Sequence, residues 1–176
     1  MATTSWVVDP LHSEVHFKIK HLVISTVTGT FKKFAGTVTT EGEDFNNASI
    51  QFSLEVDSID TNQSQRDEHL KSAEFFEANA YPEIKFQSTS FTNTGGNDYK
   101  LVGNLTMKGI TKPVELDVEF GGSAKDAWGN MKYGFEVTGK INRKDFGLTY
   151  SPLTETGGLA LGEDIKLSAN IQVVKQ

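Results

Sequence analysis

Residues 58–86 read SIDTNQSQRDEHLKSAEFFEANAYPEIKF, and this stretch decides the fold because it refuses to alternate where its flanks do. A polar run carries Arg66, Asp67 and His69, two adjacent phenylalanines follow at Phe75 and Phe76, and Tyr81-Pro82 closes the stretch before a strand resumes at Ile84. Residues 64–72 are good helix formers with a start at Asn62 or Ser64. Residues 73–80 are expected as a second short helix, with Phe75 and Phe76 pointing down and Glu74 and Glu77 up. Pro82 cannot extend a helix and pushes Tyr81 toward extended geometry. A helical insertion near residues 62–80, in a chain otherwise made of strands, reads as a lid or rim on a barrel.

Working outward, apolar and polar residues swap at nearly every position. Val15, Phe17 and Ile19 alternate with His16, Lys18 and Lys20, and Ile50, Phe52, Leu54 and Val56 with Gln51, Ser53, Glu55 and Asp57. The same period recurs from Val114 to Phe120, from Tyr133 to Ile141 and from Ile165 to Val173. One wet face and one dry face mark antiparallel sheet. Residues 83–91 and 99–107 add two strands, and 28–40 adds another, in which Phe31 and Phe34 differ in parity and so predict a bulge between them or one ring facing out. Asp9-Pro10, Gly95-Gly96-Asn97-Asp98, Lys108-Gly109, Gly121-Gly122 with Trp128-Gly129-Asn130, and Gly157-Gly158 read as joints. About eight strands in hairpin order predict an all-β, single antiparallel up-and-down barrel, lipocalin-like. The whole chain, 1–176, is expected as one domain.

The formal charge of −6 disfavours nucleic acid and anionic membranes as partners. The absence of cysteine excludes disulfides, thiolate metal sites and thiol catalysis. No apolar run is long enough to span a bilayer as a helix, so no stable membrane insertion is expected. The N-terminal residues carry no signal-peptide pattern, which predicts a cytoplasmic protein, or a periplasmic one if a leader was removed.

The inner face is apolar and rich in aromatics; the chain holds twelve phenylalanines. Periodicity alone leaves a packed core and a ligand cavity both open. His12 and His16, four apart, are expected on the polar face of one strand, with His21 pointing inward as a core histidine or the one polar contact of a greasy cavity. Three histidines cannot converge from one straight strand, so no metal site is expected. Arg66, Asp67 and His69 resemble an acid–base set, but a structural network pinning the insertion to the rim is the favoured reading. Arg143 and Asp145 form a similar charged knot near a strand end. No nucleophile elbow, phosphate loop or zinc-protease motif occurs, so no catalytic residue is assigned. The competing readings are a hydrolase using Asp67 and His69, or an interaction module with a filled core.

The opening Trp6-Val7-Val8-Asp9-Pro10-Leu11-His12-Ser13, then Ser58-Ile59-Asp60-Thr61, Arg66-Asp67-Glu68-His69-Leu70, Phe75-Phe76, Tyr81-Pro82, the run from Gly103 to Val114, and Arg143-Lys144-Asp145-Phe146-Gly147 follow one another in order. In these blocks the chain closely resembles the YceI-like family, also described as polyisoprenoid- or lipid-binding. The resemblance implies a lipocalin-like barrel around a long apolar chain: an isoprenoid, an isoprenoid-quinone tail or a fatty amide. It implies no cofactor, bacterial relatives often exported to the periplasm, and a homodimer as a common state. The candidate ligand-contacting residues are Phe17, Ile19, His21, Phe34, Phe52, Leu54, Phe75, Phe76, Phe86, Leu105, Phe135, Val137 and Phe146. Arg66, Asp67, His69, Arg143 and Asp145 are assigned to the rim, where a head group would sit near His69 and Arg66.

Overall fold

The computed structural model describes residues 2–21, 25–150 and 161–176, with the side chain of His21 outside that set. Its strands are β1 Thr3–Val8, β2 Glu14–His21, β3 Ser25–Phe31, β4 Phe34–Glu41, β5 Asp44–Glu55, β6 Ile59–Asp60, β7 Glu83–Gly95, β8 Asp98–Met107, β9 Ile110–Lys125, β10 Met131–Asn142 and β11 Leu161–Lys175; α1 is Ser64–Lys71. The order β1-β4-β5-β7-β8-β9-β10-β11 closes on itself through β1–β11, and β2-β3-β6 continues from the other half of β11. All pairs are antiparallel.

Six of these segments are halves of three long staves. β1 and β2 both pair with β11, Val8 opposite Val173 and Glu14 opposite Asn170. Between them the Asp9 carboxylate accepts from Leu11 N at 3.1 Å and starts a 3-10 turn over Pro10–His12. His12 therefore does not share a strand face with His16, contrary to the expectation from spacing. β3 and β4 break at Lys32-Lys33, where the buried positions step from Gly29 and Phe31 to Gly36 and Val38. The two lysines absorb the parity change that Phe31 and Phe34 predicted. A 3-10 turn at Val56–Ser58 separates β5 from β6. Counted as staves, the barrel has eight in hairpin order.

Lys108 and Gly109 both take positive φ, 52° and 75°, the signature of the two-residue turn that matches strand twist. Gly121-Gly122 is not at a joint. It lies inside β9, where the register against β10 shifts at Gly134/Phe135, and the connection itself is residues 126–130. Gly157-Gly158 lies outside the described residues.

One end of the barrel carries the insertion, the Lys108-Gly109 hairpin and a 3-10 turn at Arg143–Phe146. The other carries residues 42–43, 96–97 and 126–130 and both termini. In the insertion only α1 is helical. It buries no residue completely and is too short to be stable alone. The expected second helix is absent: Ser72 caps α1 through its hydroxyl to His69 O at 2.5 Å, Glu77 takes φ 49°, and residues 73–80 run as turns. Phe75 and Phe76 nevertheless point down and are buried, as expected.

Candidate ligand cavity

Inward positions of every stave surround a cavity of about 240 Å³. Of the residues expected to face a ligand, Phe17, Ile19, Phe52, Leu54, Phe75, Phe76, Phe86, Leu105, Phe135 and Val137 line it. Phe34 does not; it is half-buried and stacks on Phe52 with ring centroids 5.8 Å apart. Phe146 does not either. It is buried in the 3-10 turn after β10 and borders a separate outer groove with Lys112 and Ile141, because the chain leaves the wall at Asn142. His21 lies outside the described side chains. Phe31, Phe45, Phe91, Leu116 and Ala169 also line it; alternation places Leu116 and Ala169 on the dry face without naming them as ligand contacts, whereas nothing in the sequence announces Phe45. Phe45 was illegible because Asp44-Phe45-Asn46-Asn47 does not alternate, and Asn47 takes φ 68°.

The wall is apolar along its length. His16, Thr37, Gln51 and Ser168 border it at positions that alternate with inward residues, and His16 is turned to Glu14 at 3.0 Å. The charged side chain on the lining is Arg143, 1% exposed. Its guanidinium donates to the carbonyls of Gly162 at 2.7 Å, Leu148 at 2.6 Å and Tyr150 at 2.7 Å, so it ties together both flanks of residues 151–160. Burial pushes its pKa below the ordinary arginine value, and Glu163 works in the opposite direction. Asp145 is exposed and borders the outer groove, so the knot read in the sequence separates into a buried arginine and a surface carboxylate.

The insertion is fastened by the residues that looked like an acid–base set. Asp67 Oδ1 accepts from Thr61 N at 2.8 Å and from Thr61 Oγ1 at 2.5 Å. Arg66 Nε donates to Thr61 Oγ1 at 2.8 Å and its Nη2 to Thr61 O at 2.5 Å. Thr61 is 3% exposed and directly follows β6. His69 goes elsewhere: Nε2 meets Glu74 Oε2 at 2.8 Å, and the ring stands edge-on to Phe75 and Tyr150 at 5.0 and 5.2 Å. Arg66 and Asp67 thus work as a clamp, while His69 belongs to an aromatic seam between the insertion and the segment after Arg143.

The opposite end is filled by rings. Trp6 is fully buried, its Nε1 donates to Thr40 Oγ1 at 3.0 Å, and it lies 4.8 Å from Tyr133 and 4.9 Å from Phe45. Phe120 adds to this layer at 5.7 Å from Tyr133. Among the described residues, no helix is long and apolar enough to cross a membrane.

Comparison with known proteins places this geometry. The YceI-like domain matches residues 6–173. A UPF0312 protein of Serratia proteamaculans is 39% identical over 164 residues, 93% of this chain and 82% of its own. The crystal structure of the Campylobacter jejuni YCEI protein superposes with a TM-score of 0.76 at 33% identity, covering 90% of this chain and 91% of that one. A polyisoprenoid binding domain from Saccharophagus degradans has a TM-score of 0.68 at 14% identity over 97% of this chain and 98% of its own, a likeness of fold alone. With the match spanning nearly every stave of the barrel, the chain belongs to the YceI-like domain family.

Proposed function

We propose that the barrel takes up one long apolar lipid chain, of polyisoprenoid, isoprenoid-quinone or fatty-amide type, and serves as its carrier, store or scavenger without cofactor or catalysis. The observation that carries this reading is the continuous apolar lining between Arg143 at one end and the Trp6–Tyr133 layer at the other. Burial is worth about 25 cal/mol per Å² of apolar surface, which for a long chain exceeds the several kcal/mol lost in ordering it. The polyisoprenoid binding domain with the same fold supports the ligand class. The chain enters at the insertion end, where Phe75 and Phe76 face the cavity, and leaves its polar end there.

The hydrolase reading has less support, because Asp67 is committed to Thr61 and His69 to Glu74. A fluorescent polyprenyl probe tests the proposal. Saturable one-to-one uptake, with no turnover of an ester panel, is expected. Ester turnover that disappears in His69→Ala, or no uptake at all, would overturn it.

A further inference from the structure

We infer that the aromatic layer at the end away from the insertion is a ruler that sets the length of chain the barrel accepts, with Phe45 as the residue that stops it. The inference rests on the lipid-binding reading above. Along β11, Ile165, Leu167, Ala169, Ile171 and Val173 all face the cavity, every second residue. Ile165 stands opposite Ile141, beside the buried Arg143, and Val173 stands opposite Tyr133 and Val8. At a rise of about 3.3 Å per residue and a tilt of roughly 35–45° from the barrel axis, that wall spans about 20 Å. Inward side chains of every stave ring this length, which makes it a bore for one chain rather than two.

The bore stops at a defined floor. Phe45, Phe135, Val8 and Val173 line the cavity, while Trp6 and Tyr133 stand behind them and do not. The Phe45 ring is held on three sides, 4.9 Å from Trp6, 5.0 Å from Tyr133 and 5.1 Å from Phe135. Behind it, Trp6 is fixed by its bond to Thr40, whose hydroxyl in turn donates to Gly42 O at 2.7 Å. Moving Phe45 aside would disturb contacts with all three rings, so the floor resists an advancing chain end. Among the described residues, the insertion end has no comparable floor: the cavity there meets Phe75, Phe76 and Leu148, from separate segments of chain.

An extended hydrocarbon advances about 1.25 Å per carbon, from ordinary C–C geometry. A chain of about 16 carbons, or roughly four isoprene units, therefore reaches from the insertion end to Phe45. Each methylene up to that length leaves water for the bore; carbons beyond it remain outside. Affinity should rise about fourfold per methylene and then level off.

The test uses the delipidated full chain and saturated primary fatty amides of graded length, each displacing a fluorescent fatty probe. The wild type is expected to show the rise and a break near C16. Phe45→Ala should move the break about three or four carbons longer, the depth of one ring. Phe45→Leu should move it less, and serves if the alanine variant does not fold. Ala169→Phe, midway along the wall, should move the break in the opposite direction, to roughly half the length. Affinity that climbs without a break, or a break that stays in place in folded Phe45→Leu and Ala169→Phe, would overturn the ruler while leaving lipid binding intact. Failure of every amide and of the probe itself would overturn both.

Discussion

Phe86 lies across Gly103 on the neighbouring strand. A Cβ placed on Gly103 would stand 2.4 Å from Phe86 Cζ and 2.5 Å from the carbonyl oxygen of Gln87. The ring thus lies against the wall instead of projecting into the bore, and the missing side chain at Gly103 is what keeps the cavity wide at this level. Gly103→Ala is expected to lower stability by about 1–3 kcal/mol, since the backbone oxygen cannot move away as a side-chain tip could. It should also weaken lipid uptake by turning Phe86 inward. Denaturant melts and probe titrations on the same variant check both effects; a variant as stable as the wild type would show that the strands part easily here.

Phe75 and Phe76 differ in their partners. Phe76 meets Phe31 of the wall at 6.2 Å, whereas Phe75 meets Tyr150 at 5.1 Å and His69 at 5.0 Å, across the seam between the insertion and the segment after Arg143. Both are buried, so each alanine variant should cost about 3–5 kcal/mol. Only Phe75→Ala should markedly speed lipid release, because it opens the seam. Melting temperature and off-rate, measured together, separate the two; equal off-rates would make the insertion plain core.

Asp67→Asn keeps an oxygen for Thr61 N and Thr61 Oγ1, both part-buried, but removes the negative charge that strengthens both bonds. A loss of about 1–3 kcal/mol is expected, with binding weakened only as far as the insertion loosens. Native melting with abolished function would instead point to chemistry at Asp67.

The Asp9 carboxyl is held below the ordinary carboxylate range, chiefly by its bond to His12 at 2.8 Å, with Lys132 at 3.1 Å and Leu11 N assisting against the opposing effect of burial. A depressed acid stabilises the fold above its unfolded pKa of about 3.9 and loses that contribution as pH falls through the lower folded value. Asp9→Asn should therefore cost about 1 kcal/mol near neutrality, and the difference from wild type should shrink as pH falls below the unfolded pKa and through the lower folded one. Chemical denaturation across that range measures it; a difference that persists at the acid end would place the effect in packing.

Much of this was legible before any coordinates. The strands could be read because one face of each is wet, so Phe17, Phe52, Phe86 and Phe135 announce their side by alternation. The insertion could be read because its polar run breaks that alternation. What stayed hidden lies where the chain stops alternating: Phe45 beside a left-handed Asn47, and Tyr150 beyond the last turn of β10's flank. Arg143 was placed at the rim as a charged residue, yet backbone carbonyls allow it to be buried on the lining. The second helix failed because a helix former such as Glu77 was needed in a left-handed turn. Phe146 carried the right chemistry but sits one step past the wall.

The most direct test of the central claim is native mass spectrometry of the protein and of Phe135→Arg, each mixed with a long-chain fatty amide. Phe135 faces the cavity opposite Ile171 and beside the Phe45 floor, so an arginine there puts an unpaired charge in the path of a chain long enough to reach that floor. The account predicts a one-to-one complex for the wild type and none for a folded Phe135→Arg. A folded Phe135→Arg that binds the amide as well as the wild type does would show that no chain runs through the barrel.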